Sequence, residues 1–242
     1  YRRQRQMCIR DRYIKALFSH ILLMVIDMLL KEIYSEYDYN IEITGVQTDS
    51  RFVKPGNLFL PIRGKNFEGD EFFIDAITKG AVAIVYDKAI HNLTIPVIIV
   101  DNLEKELFRL IDLIYEKPYN ELTMIGVTGT DGKTSVSTLT SYLLNHLSRC
   151  ANIGTNGIIY DKEIIDNVFT TPILTQNYSL LREFSNLGIS YVSMEVSSQG
   201  IANKRIEGIL YDYAIFTNLS HEHLDTHKTT VSYTHLTLPT IR

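Results

Sequence analysis

The stretch from Met124 to Ser135, MIGVTGTDGKTS, constrains this chain more than any other. An apolar run passes into a glycine-rich turn and then into residues that favour a helix. Glycines accept positive φ and let backbone N–H groups approach a phosphate closely. The helix start adds its own unpaired amides and its dipole. In such a loop Lys133 would reach the β- and γ-phosphates, and the Thr134 hydroxyl would ligate Mg²⁺. The strict pattern GxxxxGK[ST] needs glycine at 127, where this chain has valine; it carries GxxGxxGKTS instead. The plain alternative is a glycine turn ahead of an ordinary helix, and Gly-Lys-Thr directly after a strand argues against it. Gly129, Thr130, Asp131, Gly132, Lys133, Thr134 and Ser135 are therefore the candidate phosphate-binding residues.

Around this loop, apolar runs alternate with helical patterns. Strand-like runs are Ile43 to Gln47, Leu58 to Ile62, Val82 to Tyr86, Val97 to Val100, Met124 to Thr128, Tyr191 to Glu195 and Tyr213 to Thr217. Helix-like segments are Phe72 to Lys79, Leu103 to Tyr115, Lys133 to Leu147 and Leu174 to Leu187. Strands spaced by helices predict parallel α/β architecture. Glu116 to Asn120 is polar and contains Pro118, so the domain boundary is placed there. The expectation is a small α/β domain over residues 24–117 and an incomplete, P-loop-type doubly wound parallel sheet over 121–230.

The two ends read differently. Arg2 to Asp11 (RRQRQMCIRD) can be encoded by a DNA stretch whose reverse complement translates as VSYTHLTLPT, the sequence of Val231 to Thr240. Protein physics supplies no reason for such inverted identity, whereas one DNA adapter joined to both ends of a fragment does, so residues 1–12 and 231–242 are read as adapter-derived. Residues 1–12 hold five Arg and one Asp, and Arg242 adds a further charge, so setting them aside takes the formal −4 to −9. The basic RRQR run is then neither a nucleic-acid arm nor a localisation signal. Cys8 falls in the same stretch, which leaves Cys150 as the single natural cysteine. That excludes an intramolecular disulfide framework and suits a reducing cytoplasm. The 45% hydrophobic content is enough to bury a real core. Ala16 to Leu30 is the one membrane candidate; His20 and Asp27 interrupt it, and it is shorter than a span requires. A core-packing helix from about Met24, with Val25, Met28, Leu29 and Ile33 on one face, is the preferred reading.

GVTGTDGKTS closely resembles the ATP-binding loop of the Mur ligases and of their relatives that make folyl-polyglutamate and cyanophycin. Where that family usually has asparagine, this chain has Asp131, an acid beside phosphates. Further matches follow in family order. Phe169-Thr170-Thr171-Pro172 resembles the TTP segment that, in the tripeptide synthetases of this family, contacts the UDP-muramoyl-dipeptide. Tyr191 to Gly200 resembles the MEVSSHG segment, with Gln199 in place of histidine. By this resemblance Glu195 binds Mg²⁺ between phosphates and substrate, and Ser197, Asn203 and Arg205 hold the peptide and phosphate parts of the nucleotide substrate. A planar guanidinium suits that role, because it can pair with carboxylate or phosphate. Without the resemblance, Glu195 is a solvated strand-end glutamate and Asn203 a helix-surface residue.

Asn218 to Asp225 resembles NLSxDHLD, which aligns His223 with a histidine associated with a second metal, while Glu222 replaces the usual aspartate. His221 and His227 have no such match. Upstream, Thr48-Asp49-Ser50-Arg51, Lys54 to Phe59 and Gly64 to Gly69 resemble the uridine-nucleotide domain of the tripeptide synthetases, with Thr48, Ser50, Lys65, Asn66 and Phe67 at its nucleotide contacts. Each would otherwise be ordinary turn chemistry. The resemblance spans residues 24–230.

What it implies is a cytoplasmic, monomeric ligase using ATP and Mg²⁺, with no nucleic-acid or membrane partner. ATP would phosphorylate the D-glutamate carboxylate of UDP-N-acetylmuramoyl-L-Ala-D-Glu, and an amino-acid amine would attack the acyl phosphate. Lys133, Glu195 and His223 are the catalytic candidates, and Thr134, Glu195 and His223 the metal ligands. The family's carbamylated lysine and amino-acid-binding domain would follow after residue 230, so the chain alone is expected to be inactive. The alternatives are another ligase of the same fold, of the folyl-polyglutamate or cyanophycin type, and a non-enzymatic nucleotide-binding module.

Overall fold

The computed structural model describes residues 28–62 and 70–220. The chain divides into two compact units between Ile114 and Tyr115.

The first unit runs through β1 (Met28–Leu29), α1 (Leu30–Ile33), β2 (Glu42–Ile43), β3 (Gly45–Gln47), β4 (Asn57–Phe59), α2 (Asp70–Thr78), β5 (Ala83–Tyr86), β6 (Val97–Ile99) and α3 (Leu103–Tyr115). Strands β3-β4-β5-β6 form an all-parallel sheet in that order. Every residue of β5 is buried, the pattern of a parallel strand covered on both faces. Phe73 of α2 meets Phe59 and Tyr86 edge-on, at centroid distances of 6.4 and 5.3 Å, in the core of this unit.

The N-terminal helix differs from the expectation. Residues 24–27 lie outside the described residues, and Met28–Leu29 is extended, paired antiparallel with Ile43 and Glu42. Helix begins only at Leu30, because the Leu29 N–H donates to Glu32 Oε2 at 2.8 Å and so caps the first turn there. A short apolar run such as Met-Leu-Leu fits strand and helix spacing equally well. The next residue, Tyr34, donates its hydroxyl to Glu106 Oε1 of α3 at 2.5 Å, and Arg109 lies over the Tyr34 ring at 5.1 Å.

The second unit contains β7 (Thr123–Thr128), α4 (Lys133–Leu144), β8 (Cys150–Gly154), β9 (Gly157–Tyr160), β10 (Glu163–Ile165), α5 (Leu174–Asn186), β11 (Tyr191–Glu195), α6 (Ser198–Ala202) and β12 (Tyr213–Phe216). Its sheet has the order β10-β9-β8-β11-β7-β12. Strands β8, β11, β7 and β12 are mutually parallel, while β9 and β10 are antiparallel additions. The chain thus goes from β7 out to β8 and back to β11 in the gap between them, then crosses to β12 on the other side of β7. Helix α4 packs on β7, β8 and β11. Strand β12 is an edge among the described residues, with Tyr213 63% and Phe216 61% exposed.

The polar segment 116–120 is packed into this unit. Pro118 and Tyr119 are buried, and the Tyr119 ring stands edge-on to Tyr178 of α5 at 5.9 Å. Arg182 of α5 explains why: its guanidinium donates to the carbonyl of Tyr115 at 2.9 and 2.6 Å and to that of Glu116 at 3.1 Å. Among the described residues no helix is long and apolar enough to cross a membrane. Cys150 is a free, buried thiol, and burial raises its pKa to about 11.

Candidate active site

Parallel strands deliver their carboxyl ends to one edge of a sheet, which is where α/β proteins bind ligands. Here the loop Gly129–Gly132 leaves β7, Thr155 follows β8, Glu195 closes β11, and Thr217 to Ser220 follow β12. A cavity of about 500 Å³ opens at this edge. Thr130, Asp131, Gly132, Lys133 and Thr134 line one part of it; Thr170, Glu195, Ser197 and Arg205 line another.

The loop is shaped by its neighbour after β12. Gly129 has φ +137°, and a Cβ there would overlap the Thr217 hydroxyl. That hydroxyl donates to the Asp131 carbonyl at 2.6 Å. The Asp131 N–H donates to Asn218 Oδ1 at 2.9 Å, and the Thr130 N–H to the Asn218 carbonyl at 3.0 Å. The Ser220 hydroxyl reaches Asp131 Oδ2 at 3.4 Å. Lys133, at the start of α4, donates from Nζ to the carbonyls of Gly129 and Thr130 at 2.8 and 2.7 Å. Among the described residues no carboxylate pairs with it, so its charge is met only by carbonyl dipoles.

Glu195 is 1% exposed. Its Oε2 accepts from the Thr134 hydroxyl at 2.9 Å, and its Oε1 from the Thr155 N–H at 2.9 Å. The Thr155 hydroxyl lies 3.3 Å from Oε2 and 3.1 Å from the Thr170 hydroxyl. Thr171 is fully buried beneath this layer: its hydroxyl donates to the Glu195 carbonyl at 3.0 Å and accepts the Ser197 N–H at 2.9 Å. Ser197 caps α6 by accepting the Gly200 N–H at 3.0 Å. The Arg205 guanidinium sits 4.2 Å over the Phe169 ring and donates to the Thr171 carbonyl at 3.0 Å. Burial pulls its pKa below the ordinary value, the sign of a cation partly removed from water.

Of the candidates described in this unit, Gly129, Ser135, Thr171 and Asn203 do not line the cavity. Asn203 ends α6, exposed, with its N–H on the Gln199 carbonyl at 2.9 Å, and Ser135 is exposed on α4. Thr48 and Ser50 belong to the first unit, in the turn after β3; Ser50 is 3% exposed and its carbonyl accepts from Lys79 Nζ at 3.1 Å. Lys65, Asn66, Phe67, His223 and the adjoining Glu222 lie outside the described residues, as do both adapter-like ends. Sequence reasoning passed over Gly154 and Thr155. The signal available was a Gly-Thr pair ending a buried run after the phosphate-loop helix. Among the described residues no three His, Cys, Asp or Glu side chains gather as a metal cluster.

Two family profiles match this chain: the Mur ligase family catalytic domain over residues 42–111 and the Mur ligase middle domain over residues 127–237. The chain belongs to the Mur ligase family. The middle-domain match runs into the adapter-like stretch beginning at Val231. A UDP-N-acetylmuramoyl-L-alanyl-D-glutamate--2,6-diaminopimelate ligase of Haemophilus influenzae strain PittGG is 37% identical over 209 residues, covering 82% of this chain and 42% of its own length. UDP-N-acetylmuramyl-tripeptide synthetase 2 of Oceanobacillus iheyensis is 41% identical over 197 residues, covering 79% of this chain and 40% of itself. The chain therefore spans about 42% of the length of such relatives. A solved UDP-N-acetylmuramoyl-L-alanyl-D-glutamate--2,6-diaminopimelate ligase superposes with a TM-score of 0.63 at 25% identity, over 87% of this chain and 44% of that one. The MurF ligase of Thermotoga maritima, solved with ADP, shares the fold at a TM-score of 0.52 and 23% identity, over 79% of this Mur ligase chain and 41% of its own.

The residues present fit a nucleotide polyphosphate held with a divalent ion. Gly132 has φ +78°, and a Cβ built there meets nothing within 4 Å, so the loop is open on that side. Thr134 and Glu195 offer hard oxygen donors of the kind Mg²⁺ takes, and Mg²⁺ keeps several waters when only two protein oxygens bind it.

Proposed function

We propose that this Mur ligase chain carries the uridine-nucleotide-binding and ATP-handling parts of a ligase that joins an amino acid to the D-glutamate of UDP-N-acetylmuramoyl-L-Ala-D-Glu. Residues 24–117 would bind the uridine nucleotide, through Thr48, Ser50 and Lys65 to Phe67, and residues 121–230 would bind ATP. The observation that carries the reading is the approach of the Thr134 hydroxyl to Glu195 at 2.9 Å, in one cavity with Lys133 and Arg205. Relatives named as tripeptide synthetases and diaminopimelate ligases favour it over the folyl-polyglutamate, cyanophycin and non-enzymatic readings.

In this proposal ATP, bound with Mg²⁺, supplies the phosphoryl group that activates the glutamate carboxylate as an acyl phosphate. The chain's own contribution is to bring two anions together. Lys133 and the amides at the start of α4 face the polyphosphate, and Thr134 with Glu195 would hold the metal. Arg205, stacked on Phe169 and without a carboxylate partner among the described residues, is placed to take an anionic group of the muramoyl-peptide. Preorganised charge of this kind stabilises a transition state without reorganising as the reaction proceeds. Holding carboxylate, phosphate and amine in one place supplies a further large share of the acceleration. His223 would attend a second metal. The cytoplasm is the proposed compartment, in keeping with a reduced, buried Cys150.

The test is direct. Full-length ligase is incubated with ATP, Mg²⁺ and UDP-N-acetylmuramoyl-L-Ala-D-Glu, with diaminopimelate or lysine added in turn. ADP release that depends on both the muramoyl-dipeptide and one amino acid is expected. Release that ignores the muramoyl-dipeptide, or none with any amino acid, overturns the proposal.

A further inference from the structure

We infer that the β8–β9 turn, Gly154 with Thr155, is the element that orients the Glu195 carboxylate and ties it to Thr170 on the substrate side of the cavity. The inference rests on the reading of Glu195 as a metal-binding group. Glu195 is 1% exposed, yet no cationic side chain pairs with it among the described residues. Its donors are hydroxyls and one amide, and Thr155 supplies two of the three. The Thr155 N–H holds Oε1 at 2.9 Å, while the Thr134 and Thr155 hydroxyls address Oε2 at 2.9 and 3.3 Å. The amide therefore fixes the rotation of the carboxylate and leaves Oε2 as the oxygen shared with Thr134.

Gly154 makes the approach possible, since a Cβ there would overlap the Glu195 carboxylate itself. The turn is rigidly placed, because Gly154 pairs with Gly157 across the β8–β9 hairpin. A hydroxyl has one proton. If Thr155 donates to Glu195, it accepts from Thr170 at 3.1 Å, so the donors run in one direction from Thr170 to the carboxylate. Thr155 is thus a positioning residue that acts on the metal site through Glu195.

Partners that orient a metal ligand are worth roughly 10- to 100-fold in metal affinity or activity. Full-length Thr155→Val, Thr155→Ser and Gly154→Ala proteins are titrated with Mg²⁺, reading the binding of a fluorescent ATP analogue. The analogue's affinity without Mg²⁺ and the unfolding temperature are measured alongside. Thr155→Val is expected to need about tenfold more Mg²⁺ for half-maximal binding, with Mg²⁺-free affinity unchanged and Thr155→Ser close to wild type. Gly154→Ala is expected to shift the Mg²⁺ curve further, through displacement of Glu195. A wild-type Mg²⁺ curve in Thr155→Val, or Thr155→Ser no better than Val, overturns the inference. Mg²⁺-dependent binding in a wild-type protein that ligates nothing would defeat the proposed reaction and leave this positioning role standing.

Discussion

Lys133 is a cation whose described partners are two backbone carbonyls, an arrangement that leaves its charge for a ligand. Among the described residues its hydrogen bonds go to the phosphate loop and not to the core. Lys133→Ala should lower ligation by at least about 100-fold, the scale seen when one preorganised charge is removed from a transition state. The unfolding temperature should stay within a degree or two. ADP release and a thermal melt on the same sample check both; retained turnover would remove Lys133 from the chemistry. Asp131 posed a separate puzzle in the sequence, as an acid in a phosphate loop. Its N–H and carbonyl are both bound by the Thr217–Asn218 segment, and its carboxylate meets Ser220. The backbone at this position therefore serves loop shape, a role that no residue type could announce.

At the scale of elements, α1 and α3 are joined through Tyr34, Glu106 and Arg109. Burial alone would raise the Glu106 pKa, but hydrogen bonds from Arg109 and Tyr34 outweigh it and hold the carboxyl below its ordinary range. A carboxyl depressed in the folded state contributes stability above its unfolded pKa and loses it as pH falls through the folded value. Since an unfolded glutamate titrates near pH ~4.3, the melting temperature should drop on acidification from about pH 5 towards 3, and less steeply in Glu106→Gln. Identical slopes for the two proteins would exclude Glu106 as a contributor.

Elements with strong apolar runs were legible in the sequence. Strands β7, β11 and β12 and helices α4 and α5 lie where the runs and spacings put them, and the glycine-rich loop stands between β7 and α4. Strands β8 to β10 were not. Cys-Ala-Asn-Ile-Gly is buried throughout, but it has neither alternation nor β-branched enrichment, and its strand character comes from pairing with β11. All three residues of β10 are exposed, so no burial pattern marks it. Because Thr155 follows β8, missing that strand meant missing the residue that holds Glu195. The packing of segment 116–120 was obscured in a similar way: beside the Tyr119–Tyr178 ring contact and the Arg182–Glu121 ion pair, Arg182 reaches the backbone carbonyls of Tyr115 and Glu116, which leave no trace in side-chain pattern.

For the whole molecule, two compact units account for the described chain, which spans about 42% of the length of its relatives. The second unit's sheet has consequences for handling the protein. Among the described residues, strand β12 pairs only with β7 and leaves its other side unpaired, flanked by Tyr213 and Phe216, both more than 60% exposed. An uncovered, apolar strand is a template on which another copy can crystallise its own edge, and natural proteins blunt such edges with charge. Expressed as given, the chain should self-associate as its concentration rises, visible as growing mass in light scattering. Phe216→Lys should keep it monomeric to a higher concentration, and equal behaviour of the two proteins would clear β12 of blame. Among the described residues, then, four at one rim of the sheet, rather than the core, are what a dispersing substitution should address.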